Sequence, residues 1–220
     1  MADMNLEQAR HNMIEQQIRP WEVLDQHVLD LIARTPREEF VPSQYRRLAF
    51  TDMELPLGYG QAMMPPRLEA RMLQALAIQP NETILEIGTG SGYVTALLAQ
   101  LASHVDSVEF YPELKATAER NLASYMFTNV TLYVGDASNG WPEHGKYDVI
   151  AVTGSVPALT PGFQQQLNVG GRMFVIVGQT PVMEAQLITR LGPNEWSRES
   201  LFETVVAPLV NAPQPQRFVL

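Results

Sequence analysis

TILEIGTGSGYVTALLAQLA, residues 83–102, decides the fold. TILEIG is an apolar run of strand length and YVTALLAQLA is a helical one, with Gly88, Gly90 and Gly92 packed between them. Glycines at a strand-to-helix junction let the backbone turn tightly and let a ligand lie against it without Cβ clashes. A dinucleotide fold spaces them G-x-G-x-x-G and seats a pyrophosphate on the helix N-terminus. Here the spacing is G-x-G-x-G, and Tyr93 fills the third glycine's place. Glu86 sets a carboxylate beside the loop, which repels phosphate and favours a cation.

Outward from this junction the texture alternates. VDSVEF is a strand-like run, PELKATAERNLASY a helix and VTLYV a run again; YDVIAVT, TPGFQQQL and GRMFVIVG continue the series. Such alternation predicts a Rossmann-like α/β fold, a mainly parallel sheet with helices on both faces. After Gly178 come MEAQLITRL, WSRESLF and ETVVAPL, which read as three strands with short connections, an antiparallel C-terminal edge. Upstream, residues 4–18 and 25–34 read as two helices of an N-terminal appendage, broken at IRPW, the second capped by Asp25. Residues 36–66 read as loop, dense in Pro and Gly. Helical spacing returns over Arg67 to Ile78.

Two further acids follow at successive strand ends. Glu109 lies about 20 residues beyond the glycines, where an acid can accept hydrogen bonds from both ribose hydroxyls. Phe110 beside it offers a flat apolar face to a purine, and Asp136, after the third strand, can meet an exocyclic amine. Three ordered carboxylates and no phosphate-binding lysine describe a site for an adenosine that carries positive charge. S-adenosylmethionine fits that description.

Composition bounds the rest. At 220 residues, 45% hydrophobic and 18% charged, the chain suits one compact domain with a sizeable core. A net charge of −9 argues against a nucleic-acid partner, because that binding rests on Lys and Arg neutralising phosphates. No apolar run approaches the ~18 residues of a membrane helix, so no membrane partner is expected. The first residues lack a secretion signal, and the expected location is the cytoplasm. The absence of cysteine excludes disulfides and thiolate chemistry, and no metal site is expected.

The chain resembles the protein-L-isoaspartate O-methyltransferase family of S-adenosylmethionine-dependent enzymes over roughly residues 10–210. The likeness is carried by ILEIGTGSGY, by GWPEHGKYDVIAVT (140–153), by LNVGGRMFVIVG (167–178), by VVAPL (205–209) and by the N-terminal MIEQQIRPWEVLDQHVLDLIARTPREEFVP. It implies that Glu86, Gly88, Thr89, Gly90, Ser91, Gly92, Glu109, Asp136 and Ala137 hold S-adenosylmethionine. It also implies that residues 1–66 supply helices and a substrate lid to a methyltransferase core at 67–220.

The departures fall on the acceptor side. Where the family reads P-L-P-I-G-x-G-Q-T-I-S-Q-P, this chain reads ELPLGYGQAMMPP, residues 54–66. Of the lid residues Gln61, Ala62, Met63 and Met64, only Gln61 is polar; the family's Thr and Ser fall on Ala62 and Met64. The family's V-T-A-A-A-P appears as VTGSVP, residues 152–157. A hydroxyl hydrogen-bonded to a charged acceptor is worth about 1.5–3 kcal/mol, and methionine offers only an adaptable apolar surface. No catalytic residue is assigned. A carboxylate acceptor, with a pKa near ~4, needs no base, and His11, His27, His104 and His144 lie outside the loops just described. The expected function is methyl transfer to a peptide or protein carboxylate of damaged aspartyl residues, or to a different, small-molecule acceptor. The alternatives are a non-catalytic protein that binds the same cofactor, an NAD-dependent oxidoreductase, which the glycine spacing disfavours, and nucleic-acid methylation, for which N-P-P-Y and a basic groove are missing.

Overall fold

The computed structural model describes residues 6–142 and 145–214. Its centre is a seven-stranded sheet built from β3 (Thr83–Ile87), β4 (His104–Glu109), β5 (Val130–Val134), β6 (Tyr147–Val156), β7 (Leu167–Gln179), β8 (Val182–Gly192) and β9 (Glu195–Thr204), in the order β5-β4-β3-β6-β7-β8-β9. The first five pair in parallel, and β8 and β9 add antiparallel. The predicted sheet and its antiparallel edge are therefore present. The chain lays down β3, β4 and β5 in one direction and returns to place β6 beside β3. Such a reversal opens a crevice outside the carboxyl ends of these two strands, the usual ligand position in open α/β sheets.

Strand alternation divides the core in two. Ile84, Val149, Phe174 and Ile176 face one apolar cluster, and Leu85, Ile150, Met173 and Val175 face the other. The first cluster is covered by α3 (Pro66–Leu76), α4 (Tyr93–Ala99) and α5 (Pro112–Ala123), the second by α6 (Pro161–Gln165) and the segment around Trp141. Proline opens α3, α5 and α6, at a position where the missing N–H costs no helical bond. Every residue of α4 is buried. The N-terminal segment covers that helix from outside, with Phe40 edge-on to Tyr93 at 5.5 Å between ring centroids.

Three sequence expectations need correction. IRPW is not a break: α1 (Leu6–Met13) widens into a π turn over Ile14–Ile18 and tightens into a 3-10 turn over Arg19–Trp21. Pro20 sits in the first turn of that last piece, where it is tolerated, and the winding stops at Glu22, whose φ is 61°. α2 (Gln26–Arg34) then begins on Asp25, whose carboxylate accepts the His27 amide at 2.8 Å, as its N-cap role predicts. Residues 36–66 are not simply loop. They hold two 3-10 turns and a hairpin, β1 (Leu55–Gly58) and β2 (Gln61–Met63), whose turn residues Tyr59 and Gly60 both have positive φ. Positive φ at both central residues matches the twist of the flanking strands. Finally, two strands follow Gly178 rather than three. ETVVAPL ends β9 and then only touches the sheet, through Ser155 against Ala207 and Leu209, because Pro208 has no N–H to donate to a ladder. Among the described residues no helix is long and apolar enough to cross a membrane. The ends of the predicted first helix and of the Pro-rich tail, residues 4–5 and 215–220, lie outside the described residues.

Candidate cofactor and acceptor site

The crevice between β3 and β6 holds an open cavity lined by residues from both strand ends, at the position where open α/β sheets take their ligands. Its floor is the glycine loop. Gly88 leaves β3 with φ 97°, and a Cβ there would stand 2.4 Å from Oγ1 of Thr153 at the end of β6. The Thr153 hydroxyl lies within hydrogen-bonding reach of the carbonyls of Ile87 and Gly88, at 2.9 and 2.7 Å, so loop and strand approach closely. Gly90 is held from the other side: its amide donates to Oε2 of Glu109 at 2.8 Å, while Oε1 of Glu109 accepts the Tyr111 amide at 3.0 Å.

Glu109, Phe110, Asp136 and Ala137 line the cavity beside Gly88 and Gly90, so the acids at the ends of β4 and β5 share one cavity. Asp136 accepts the Ser138 amide and the Asn211 side chain, at 3.0 and 2.8 Å. Burial pushes its pKa up, but these bonds outweigh burial and hold the carboxyl below its ordinary range. Thr89 and Ser91 line not this cavity but a smaller one under the hairpin. Gly92 opens α4 and packs on Ala118 and Leu122, where a Cβ would be crowded.

Glu86 is placed differently from the sequence reading. It is fully buried one layer beneath the loop and does not line the cavity. Its Oε2 accepts Thr95 Oγ1 at 2.5 Å and Ser107 Oγ at 2.6 Å, and Ser107 is in turn 2.6 Å from Thr89 Oγ1. Burial, with some repulsion from Glu109, pushes its pKa up to about 8 against the pull of those hydroxyls. The Glu86 carboxyl thus supports the loop through a hydroxyl relay instead of facing a ligand.

The hairpin forms the opposite wall. Gln61, Ala62 and Met64 line the main cavity and Met63 the smaller one. Met63 and Met64 are each 5% exposed and belong to the core cluster, so the lid's base is packing and wall at once. Arg37 fastens it. Buried at 1% exposure, its guanidinium donates to the carbonyls of Met64 (2.8 Å) and Ala49 (3.0 Å), pairs with Glu69, and lies 4.9 Å over the Tyr93 ring. At the tip, Tyr59 stacks on Tyr111 at 4.6 Å.

Thr153 comes from the VTGSVP segment read as the acceptor side, whereas sequence reasoning gave no role to Glu54 at the hairpin's start or to the segment Val206–Val210, which seals the side of β6. Gly154 admits that segment, since a Cβ there would meet Leu209 at 2.8 Å. Pro208 and the crowding around Gly154 hint at it, but no local pattern places a tail across a distant strand. His11 and His27 are exposed and His104 starts β4, at the strand end away from the cavity, beside Asp106 and Thr131; His144 lies outside the described residues. No cluster of metal ligands occurs among the described residues. The cavity therefore offers carboxylates for a cationic nucleoside, an adaptable apolar wall, and positioning rather than acid–base chemistry.

The comparisons with known proteins point the same way. The family model described as Protein-L-isoaspartate(D-aspartate) O-methyltransferase matches residues 8–214. A Marinobacter nauticus protein named protein-L-isoaspartate O-methyltransferase 2 is 40% identical over 207 residues, 94% of each chain. A Protochlamydia amoebophila protein-L-isoaspartate O-methyltransferase is 40% identical over 201 residues, 90% of this chain and 95% of its own. Among solved structures, a protein-L-isoaspartate O-methyltransferase superposes with a TM-score of 0.75 at 26% identity, over 90% of this chain and 65% of that one. A Plasmodium falciparum structure in complex with S-adenosyl-L-homocysteine shares the fold, with a TM-score of 0.78 at 17% identity over 94% of this chain and 99% of its own.

Proposed function

The chain belongs to the protein-L-isoaspartate(D-aspartate) O-methyltransferase family and is an S-adenosylmethionine-dependent methyltransferase, and from that premise we propose that it methylates the carboxylate of isoaspartyl residues in peptides and proteins. The observation that carries the reading is the clasp of the Gly90 amide by Glu109 at the β3/β6 crevice, with Asp136 and Ala137 completing the wall and, among the described residues, no cationic side chain lining it. We assign Gly88, Gly90, Glu109, Phe110, Asp136 and Ala137 to direct contact with the cofactor. Thr89, Ser91, Gly92 and Glu86 shape and support the loop.

The cofactor, when bound, supplies an electrophilic methyl group on a sulfonium. The chain's own residues do the rest by alignment, which contributes roughly 7–11 kcal/mol in well-oriented reactions. An acceptor carboxylate is ionised at neutral pH, so no residue has to take a proton from it. The hairpin wall of Gln61, Ala62 and Met64 and the Val206–Val210 segment keep water from the reacting centre.

Incubation with an isoaspartyl peptide and methyl-labelled cofactor tests this. A base-labile methyl ester is expected. Tight binding of S-adenosylhomocysteine with no ester formed on any isoaspartyl peptide would overturn it and favour a non-catalytic cofactor-binding protein, the reading that the loss of both lid hydroxyls at Ala62 and Met64 supports.

A further inference from the structure

Glu54 stands where the family pattern begins with proline, immediately before β1. It lines two spaces at once. One is the cofactor cavity; the other is an open groove, between the hairpin and the β7–β8 turn, that shares Val206 and Ala207 with the cavity. Trp21, Pro65 and Met183 give the groove apolar wall, and Glu54, Arg67, Thr180, Glu203 and Thr204 give it as much polar surface.

The charges of this groove are unbalanced. Its arginine, Arg67, is already paired with Asp52 and lies 4.4 Å over the Trp21 ring. Glu54, and Glu203 farther out along the same groove, have no hydrogen-bond or ion-pair partner among the described residues. Partial burial pushes the pKa of the Glu54 carboxyl up, although the residue is exposed. Meanwhile, among the described residues, no Lys, Arg or His lines the cofactor cavity, although Glu54, Glu109 and Asp136 do. An isoaspartyl acceptor brings one more carboxylate into this field. A basic residue next to it in the same peptide would offset that charge and give Glu54 the partner it lacks.

We propose that the groove docks the acceptor chain and that Glu54 selects peptides carrying Lys or Arg beside the methylated residue. The inference rests on the isoaspartyl reading above. Glu54 is here a specificity residue: it touches the flanking residue of the substrate and takes no part in methyl transfer.

The test is a set of isoaspartyl hexapeptides identical except for Lys, Ala or Glu immediately before or immediately after the acceptor, assayed for kcat/KM with the full chain and with Glu54→Gln. On at least one side, roughly five- to twentyfold preference for Lys over Glu is expected at low salt, shrinking at high salt. In Glu54→Gln the Lys/Glu ratio should fall to within about twofold, with S-adenosylhomocysteine binding by calorimetry showing that the variant is folded. A ratio near one in the unaltered protein, or the same ratio in both proteins, overturns the selectivity while leaving the isoaspartyl reading intact. Failure to methylate any of the peptides overturns both.

Discussion

The Gly90 amide and the Glu109 carboxylate meet at 2.8 Å, so that one side chain at the end of β4 fixes the loop that follows β3. Removing it frees two amides, those of Gly90 and Tyr111, and also deletes the acceptor facing the cavity. Glu109→Ala should weaken S-adenosylhomocysteine binding by about 1–3 kcal/mol, read by calorimetry. An affinity within twofold of the unaltered protein would show that the loop holds its shape and its ligand without this carboxylate.

At Gly90 itself, φ is 56° and a Cβ would come within 3.1 Å of Leu57 on the hairpin. Gly90→Val places a branched side chain in a backbone region it rarely adopts, pointed at the cavity's mouth. Loss of detectable cofactor binding is expected, with a fall in melting temperature. Gly88→Ala should also lower the melting temperature, because its Cβ must displace the Thr153 hydroxyl from the carbonyls of Ile87 and Gly88, at a φ of 97° that side chains rarely adopt.

Glu86 makes the apo protein pH-sensitive. Its ordinary pKa of 4.5 rises to about 8 on folding, so the folded chain holds a proton that the unfolded chain releases across that window. Stability from this group is therefore highest below the lower value and declines as pH rises, at up to about 1.4 kcal/mol per pH unit. Glu86→Gln cannot titrate, and its amide oxygen can still accept from Thr95 and Ser107. Urea unfolding between roughly pH 5 and pH 8 should show the unaltered protein losing stability relative to the variant. Curves that stay parallel would place the carboxylate's pKa outside the window.

Arg37 and Glu69 form a buried pair, at 1% and 3% side-chain exposure. Arg37→Met leaves the acid uncompensated and the Met64 carbonyl without its donor, and should cost about 3–5 kcal/mol in urea unfolding. The double change Arg37→Met with Glu69→Leu should recover much of that loss. A single variant that loses less than about 1 kcal/mol would show that the pair is replaced by water rather than sealed.

The readable part of this fold is the part where local pattern and tertiary role coincide. Gly88, Gly90 and Gly92 announce a strand-to-helix turn because the turn needs them, and Glu109 and Asp136 follow at strand ends because parallel strands end on one side of the sheet. The depth of Glu86 was harder. Its neighbours Leu85 and Ile87 face the opposite cluster, and a strand covered on both faces leaves no side chain in water before its last residue. Thr95 and Ser107, polar letters inside apolar runs, were the signal that it has buried partners. The hairpin hid behind Pro56 and the glycines at 58 and 60, which read as loop, and its turn uses a tyrosine at positive φ where glycine or asparagine would have advertised it. Glu54 and Val206–Val210 reach the cavity from segments whose own sequence carries no trace of the other.

The hairpin's two ends differ in how freely they can be rewritten. Its base is committed to the interior through Met63, Met64 and the Arg37 contact, so variation there is purged with the fold. At its apex Tyr59 is half exposed and stacks on Tyr111, and Asn or Gly would occupy that left-handed backbone with less strain. Mutational latitude is thus concentrated at one solvent-facing position beside the cavity's rim, where new recognition can be acquired without eroding the scaffold that carries it.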